Sequence, residues 1–424
     1  MVQISRAARR TAVLATAAAL VTLTACSSDD GGSDAAASEN LDGRGPITFA
    51  MGKNDTDKLQ PVIAAWNANN PDEQVTLEEL PGEADDQRER LVQSLQAGNA
   101  DYDVMALDVT WTAEFAANGW LQALEDDLAI DTSGLLPATV DSATYRDTLY
   151  AAPQNTNAQL LYYRTDLAPE APATWSALID SCAAVAAQDV DCLVTQLKQY
   201  EGLTVNTTQA IHSWGGAVVG SDGATPEVDS PEARAGLQAL VDAYEAGQIP
   251  QRATGFTEEE TNFAFVNGEA AYAYNWPYMF GNADEEGSAV AGRFAVAPIV
   301  GPDGAGASTL GGYNNGINVF SEAKATARDF VEFVQSAENQ AAFADAAFPP
   351  VLASVYDDAE LIAEYPYLPA LKAALESAEP RPVTPYYANV SKAIQDNAFA
   401  AITGQKSVDQ AITDMSAAIS AAAN

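Results

Sequence analysis

The 424-residue sequence predicts an α/β protein of two domains, and three observations carry that prediction. Strand-like and helix-like stretches alternate from position 46 onward, the rhythm of βαβ units and a parallel sheet. A second α/β run occupies 160–270. Once an N-terminal leader is set aside, about 400 residues remain, more than one ordinary hydrophobic core accommodates.

"PITFAMG" (46–52) is a short apolar strand, and "DTDKLQPVIAAWNANNP" follows with Leu59, Ile63 and Trp66 on one helical face. "QVTLEEL" (74–80) is the next strand. "EADDQRERLVQSLQAG" is a helix with acids at its start and Gly98 at its end. "YDVMALDV" (102–109) is a third strand, before a helix in "WTAEFAANGWLQAL" broken at Gly119. Ligands of such sheets sit at the carboxyl ends of the strands. That rule points at Lys53–Asp55, Gln87 and Asp108. "QLLYYR" (159–164) is a strand. "TWSALIDSCAAVAAQ" and "SPEARAGLQALVDAYEAG" are helices, the latter opened by Ser230-Pro231. "FTEEETNFAFVNGEAAYAYNW" reads as helix, Gly turn and strand. "RFAVAPIV" is a strand, "GPDGAGASTLGGY" a Gly-rich loop and "GINVF" another strand. From Lys324 helices dominate.

The N-terminus is a leader. "MVQISRAARR" carries three arginines, an apolar stretch too short to span a bilayer follows, and "LTAC" ends in Cys26. This looks like a lipoprotein signal over 1–25, with Cys26 the lipidated residue. A Gly/Ser/Asp-rich tether over 26–45 comes next. Lys and Arg number 20 against 59 Asp and Glu, so nucleic acid and anionic membrane surfaces are unsuited as partners. With Cys26 lipidated, Cys182 and Cys192 remain as a disulfide pair in an exported protein.

Much chemistry is missing. The single histidine, His212, rules out most triads and metal sites, and its place is in packing or a local hydrogen bond. There is no GxSxG, P-loop or GxGxxG after a strand, and nothing calls for a cofactor. Asp55, Asp57 and Asp108 would have to serve as any glycosidase pair. What remains suits a neutral polyol: carboxylates, amides and an arginine for hydroxyls, and flat aromatic faces for C–H surfaces. In "AYAYNWPYMFG" (271–281) aromatics fall at every second position until Pro277 breaks the alternation. Tyr272 and Tyr274 read as strand residues facing the interior, and Trp276 and Tyr278 as freed to face a cleft.

Five stretches occur in a familiar order: "LVQSLQAGNADYDVMALDVTWTAEFAANGWLQAL", "YAAPQNTNAQLLYYRTDL", "FVNGEAAYAYNWPYMF", "STLGGYNNGINVF" and "YPYLPALKAALESAEPRPVTPYYANVSKAIQ". Through them the chain resembles the extracellular solute-binding lipoproteins of carbohydrate ABC importers (family 1 solute-binding proteins), and within these most closely the actinobacterial trehalose/maltose-binding proteins. The resemblance implies a two-lobed periplasmic-binding-protein-like fold (class II) with hinged lobes and a central cleft. It implies substrate-binding roles for Asn54, Asp55, Gln87 (with Arg88 the lesser alternative), Asp108, Asn155, Asn157, Trp276, Tyr278, Gly312, Tyr313 and Arg381. Tyr313 stands where relatives often have Trp, and Asn157 where some have Asp. Plainer readings exist: Asp108 as a helix cap, Trp276 as core, Arg381 as a surface ion pair, Asn155 and Asn157 as turn residues.

On this reading lobe 1 spans 46–155 plus 277–320 and lobe 2 spans 158–275 plus 324–424, with crossings near 153–160, 270–277 and 318–324. The resemblance further implies a monomer, lipid-anchored on the outer face of the cell membrane. It would capture an α-linked glucose disaccharide and hand it to a membrane permease, without making or breaking a bond. A secreted glycoside hydrolase and a structural lipoprotein are the competing classes.

Overall fold

The alternation at the start of the chain builds the parallel part of a mixed sheet. β1 (Ile47–Gly52) pairs in parallel with β2 (Val75–Leu80) on one side and with β3 (Val104–Asp108) on the other. The computed structural model describes residues 41–220 and 223–423, so the leader and Cys26 lie outside the described residues. A short hairpin (β4, Thr144–Tyr145; β5, Thr148–Leu149) precedes β6 (Ala151–Ala158) and β7 (Leu160–Arg164). Later strands are β8 (Asp191–Val194), β9 (Ala270–Asn275), β10 (Phe294–Pro298) and β11 (Leu310–Ile317). The first sheet runs β2-β1-β3-β11-β6 and the second β10-β7-β9-β8.

Each sheet has its own core. Helix Thr56–Asn69 buries Leu59, Ile63 and Trp66 on the first sheet. Phe330 meets the rings of Phe49 at 5.7 Å and Trp66 at 5.6 Å, edge to face. On the second sheet Leu161, Tyr272 and Tyr274 face helices that include Trp175–Ala186, Pro231–Glu245, Tyr387–Ile402 and Val408–Ala422. Tyr272 and Tyr274 are therefore interior strand residues, 1% and 7% exposed. No described helix is long and apolar enough to cross a membrane.

The sheets divide the chain differently from the expected boundaries, in three places. β10, expected in lobe 1, pairs antiparallel with β7 in the second sheet, and Phe294 packs against Phe280 at 5.1 Å. Helix Lys324–Val334, expected in lobe 2, supplies Phe330, Val331 and Val334 to the first core. No crossing occurs at 270–277. After β9 the helix Tyr278–Asp284 stays on the second sheet, where Met279 and Ala283 join the core of Tyr162 and Ala273. The chain passes between sheets from Ala158 to Leu160, and returns through residues 299–309. Part of the expected Gly-rich loop is strand, because β11 begins at Leu310.

Cys182, in helix Trp175–Ala186, is bonded to Cys192 in β8, with Cα atoms 5.2 Å apart. The bridge staples a helix to the edge of its sheet. Replacing both cysteines by alanine should lower stability by about 2–3 kcal/mol, the unfolded-state entropy of a loop this short. Urea unfolding of the double variant checks this.

Candidate functional site

The carboxyl end of β1 runs through Gly52 into Lys53-Asn54-Asp55 and then into helix Thr56–Asn69. Asp55 holds the N-cap position, yet its side chain makes no cap hydrogen bond. Its carboxylate is thus left for the space in front of the sheet. Asn54 is fixed by donating to the Gly82 carbonyl at 3.0 Å. Gln87, in the first turn of helix Ala84–Gln96, donates to the same carbonyl at 3.3 Å. Its Oε1 is buried without a partner. Arg88, the alternative to Gln87, turns away to Glu114 at 2.9 Å.

Asp108 ends β3. It accepts bonds from the Thr110 N–H at 3.0 Å and hydroxyl at 2.8 Å, and from both sides of its carboxylate it meets Arg381, at 2.9 and 3.2 Å. It caps the following turn and pairs with arginine at once. Arg381 is no surface residue: it is 3% exposed and held on its other side by Glu201 at 2.6 Å. Its Nε–H has no partner. Glu201 also accepts from Ser391 at 2.5 Å and from Tyr387. Because Asp108 belongs to the first sheet and Glu201 begins a helix on the second sheet, the guanidinium ties the two halves together. Lys198 and Glu83 join them again at the rim, 2.5 Å apart.

The opposite wall comes from the end of β9. Asn275 takes the Trp276 N–H on its side-chain oxygen at 2.9 Å, and the Tyr162 hydroxyl donates to the Trp276 carbonyl at 2.9 Å. The indole is thereby fixed, half-buried, with its edge on Gly311: a Cβ there would lie 2.8 Å from the ring. Tyr278 donates to Glu259 at 3.1 Å. Gly312 has φ +117°, and a Cβ on it would overlap the Asn155 carbonyl oxygen and approach Thr156 Cα to 2.8 Å. The β11–β6 register shifts just beyond, between Tyr313 and Asn314.

These residues line a cleft open to solvent at its mouth. Asn54, Asp55, Gln87, Asp108, Asn157, Trp276, Tyr278, Gly312, Tyr313 and Arg381 all line it. Asn155 does not. It is 1% exposed, covered by β11, and its side-chain oxygen takes the Tyr313 N–H at 3.2 Å. It sets the wall from behind. Among the lining residues that carry no expectation from the sequence reading are Glu201, Gly202, Glu258 and Phe348. Both acids begin helices, where a first-turn carboxylate reads as complementing the helix dipole. The helix Glu201–Ser213 itself is absent from the sequence reading.

The charged lining is four acids, Asp55, Asp108, Glu201 and Glu258, against one arginine, Arg381. Burial pushes the Asp55 carboxyl up to about 6. Burial also raises Glu201 to about 7, against the pull of Arg381, and raises Glu258. A carboxyl raised above its unfolded value costs stability while ionised. The cost is fully present above the folded pKa and is relieved as pH falls through it. Lowering pH from about 8 toward 5 should therefore stabilise these groups relative to Asp55→Asn and Glu201→Gln. His212 acts in the opposite sense, since burial lowers it to about 4 and stability is lost as pH falls below its ordinary value. The readout is therefore the difference in thermal midpoint between wild type and each variant across that range. A difference independent of pH would contradict the expectation.

Residues 62–373 match the family model described as bacterial extracellular solute-binding protein. A "probable ABC transporter-binding protein" of Deinococcus radiodurans is 30% identical over 364 residues, covering 82% of this chain and 86% of that one. A "mannitol-binding protein" of Pseudomonas aeruginosa is 27% identical over 405 residues, covering 86% and 90%. Among solved structures, maltose-bound T. maritima MalE3 superposes with a TM-score of 0.83 at 34% identity, covering 88% of this chain and 98% of that one. The GacH receptor of Streptomyces glaucescens, solved unliganded and in complex with acarbose, shares the fold at a TM-score of 0.79 and 22% identity, covering 88% and 97%.

Proposed function

This chain belongs to the bacterial extracellular solute-binding proteins, and on that footing we propose that it captures an α-linked glucose disaccharide, of the trehalose or maltose type, for an ABC importer. The observation that carries this reading is the cleft wall. An indole and a phenol from one side face amides, carboxylates and a fixed guanidinium from the other. Gln87 Oε1, Asn157 Oδ1 and Arg381 Nε are buried there with no protein partner. Unpaired buried groups cost about 1–3 kcal/mol each, which a ligand with many hydroxyls would recover. The maltose in MalE3 at 34% identity, and the polyol named for the Pseudomonas relative, support the same ligand class.

The lobes in this reading are 47–158 with 310–345, and 160–298 with 368–422. The sugar touches both, so it stabilises the closed arrangement over the open one. The closed form docks on a membrane permease, and Cys26 anchors the chain beside it. No bond is made or broken. Incubation with trehalose, maltose and maltotriose should release no glucose, and glucose release would establish the hydrolase instead.

Trp276→Ala tests the site directly. The variant should lose the sugar-induced rise in melting temperature while its ligand-free midpoint stays within a few degrees of wild type. Collapse of the ligand-free protein would place Trp276 in the core.

A further inference from the structure

The two ends of the cleft differ in how their charge is balanced. At one end Arg381 lies between Asp108 and Glu201, so two carboxylates share one guanidinium. At the other end Asp55 and Glu258 face the cleft from opposite sheets, near enough for Glu258 to act on the Asp55 charge. Among the described residues no ion pair joins either acid to a cation, although the nearest, Lys58, acts on the Asp55 charge. Lys58, one turn beyond Asp55, is engaged with Asp57 at 2.9 Å. Lys198 is engaged with Glu83. Lys53 is exposed, its stem lying along Gly82, and no ion pair joins it to either acid among the described residues. Asp55 takes no cap hydrogen bond, and Glu258 is served by neutral donors, the Tyr200 hydroxyl at 2.6 Å and Trp276.

The unpaired polar atoms beside them point the same way. Gln87 is 2% exposed and its Oε1 is an acceptor with no donor. The Asn157 Oδ1 is another. Beside the Tyr313 hydroxyl, which feels the Asp55 and Glu258 charges, this part of the cleft is lined by acceptors under negative charge. A hydroxyl brings one proton to such a wall and leaves the charge uncompensated as the lobes close over it. A protonated amine brings up to three N–H donors and the missing charge, and charge-assisted bonds are roughly twice as strong as neutral ones.

We propose that the Asp55–Glu258 end of the cleft receives the ammonium group of an amine-bearing oligosaccharide. The proposal rests on the sugar-binding reading above and narrows its ligand class. Arg381 and its two carboxylates then serve the hydroxyls of the neutral sugar unit, and Trp276 and Tyr278 its C–H faces.

The test uses matched pairs. Trehalose and maltose are compared by calorimetry at pH 7.5 and low ionic strength with their mono-amino-deoxy analogues, the amine placed in turn at carbons 2, 3, 4 and 6. At least one amino sugar should bind tenfold or more tightly than its neutral parent. In Asp55→Asn that ratio should fall below threefold, whatever the loss common to both ligands. If every amino analogue binds equally or more weakly than its parent, the inference is overturned and the sugar-binding reading stands. If a preferred amine keeps its full advantage in both Asp55→Asn and Glu258→Gln, the amine sits elsewhere and the inference is again overturned. If neither neutral nor amino sugars bind, the underlying reading falls with it.

Discussion

Arg381→Met should cost about 3–5 kcal/mol of stability, because it leaves Asp108 and Glu201 buried without their counter-charge. The arginine side chain is 1% exposed and the Glu201 side chain 7%, so water cannot replace the lost guanidinium. Sugar affinity should fall at least about 100-fold as well, with the unpartnered Nε–H gone and the lobes untied. The double variant Arg381→Met/Glu201→Gln separates the two effects. Removing one of the stranded carboxylates should restore most of the stability, since a neutral amide is far cheaper to bury than a charge. It should restore none of the binding. Urea unfolding and calorimetry on the single and double variants give both quantities. A sugar-induced thermal shift persisting in the single variant would remove Arg381 from the site.

Gly312→Ala should cost at least about 3 kcal/mol, combining a backbone conformation that only glycine adopts readily with steric overlap. At φ +117° the new methyl would drive into the backbone of Asn155 and Thr156 on β6. Neither atom belongs to a flexible side-chain tip, so the strands themselves must part. Because β11 is the strand between β3 and β6, the damage reaches the middle of the first sheet. Gly316→Ala is the internal comparison. Its methyl would meet the ends of Leu107 and Leu121, which have rotamers to yield with, and should be milder in urea unfolding.

The sequence disclosed the parallel part of the first sheet because β1, β2 and β3 are separated by helices with readable caps and faces. It disclosed most of the cleft because strand ends and a broken aromatic alternation are local signals. Trp276 and Tyr278 leave the pleat where Asn275 ends β9. It did not disclose how the later strands are shared out. β10 is short and apolar, β11 is rich in Gly and Asn, and which sheet each joins is settled by antiparallel partners more than 100 residues away in sequence. Glu201 was illegible for a related reason. The helix Glu201–Ser213 is buried along nearly all its length, and much of what it buries is Thr, Asn and Gln, so no apolar stripe marks its period. Asn155 lies behind the wall although a polar residue near a cleft reads as a contact, and its side-chain oxygen is taken by the Tyr313 N–H.

Trp276 follows a strand of the second sheet, and the glycine under its ring belongs to a strand of the first. The indole therefore spans the boundary between the two sheets, and among the described residues Trp276 is the one tryptophan lining the cleft. On the closure proposed above, separation of the lobes lifts the ring off Gly311 and wets it. The protein thus carries its own optical gauge of closure: emission that shifts to the red on opening and back on capture gives opening and closing rates by stopped flow, with no label attached.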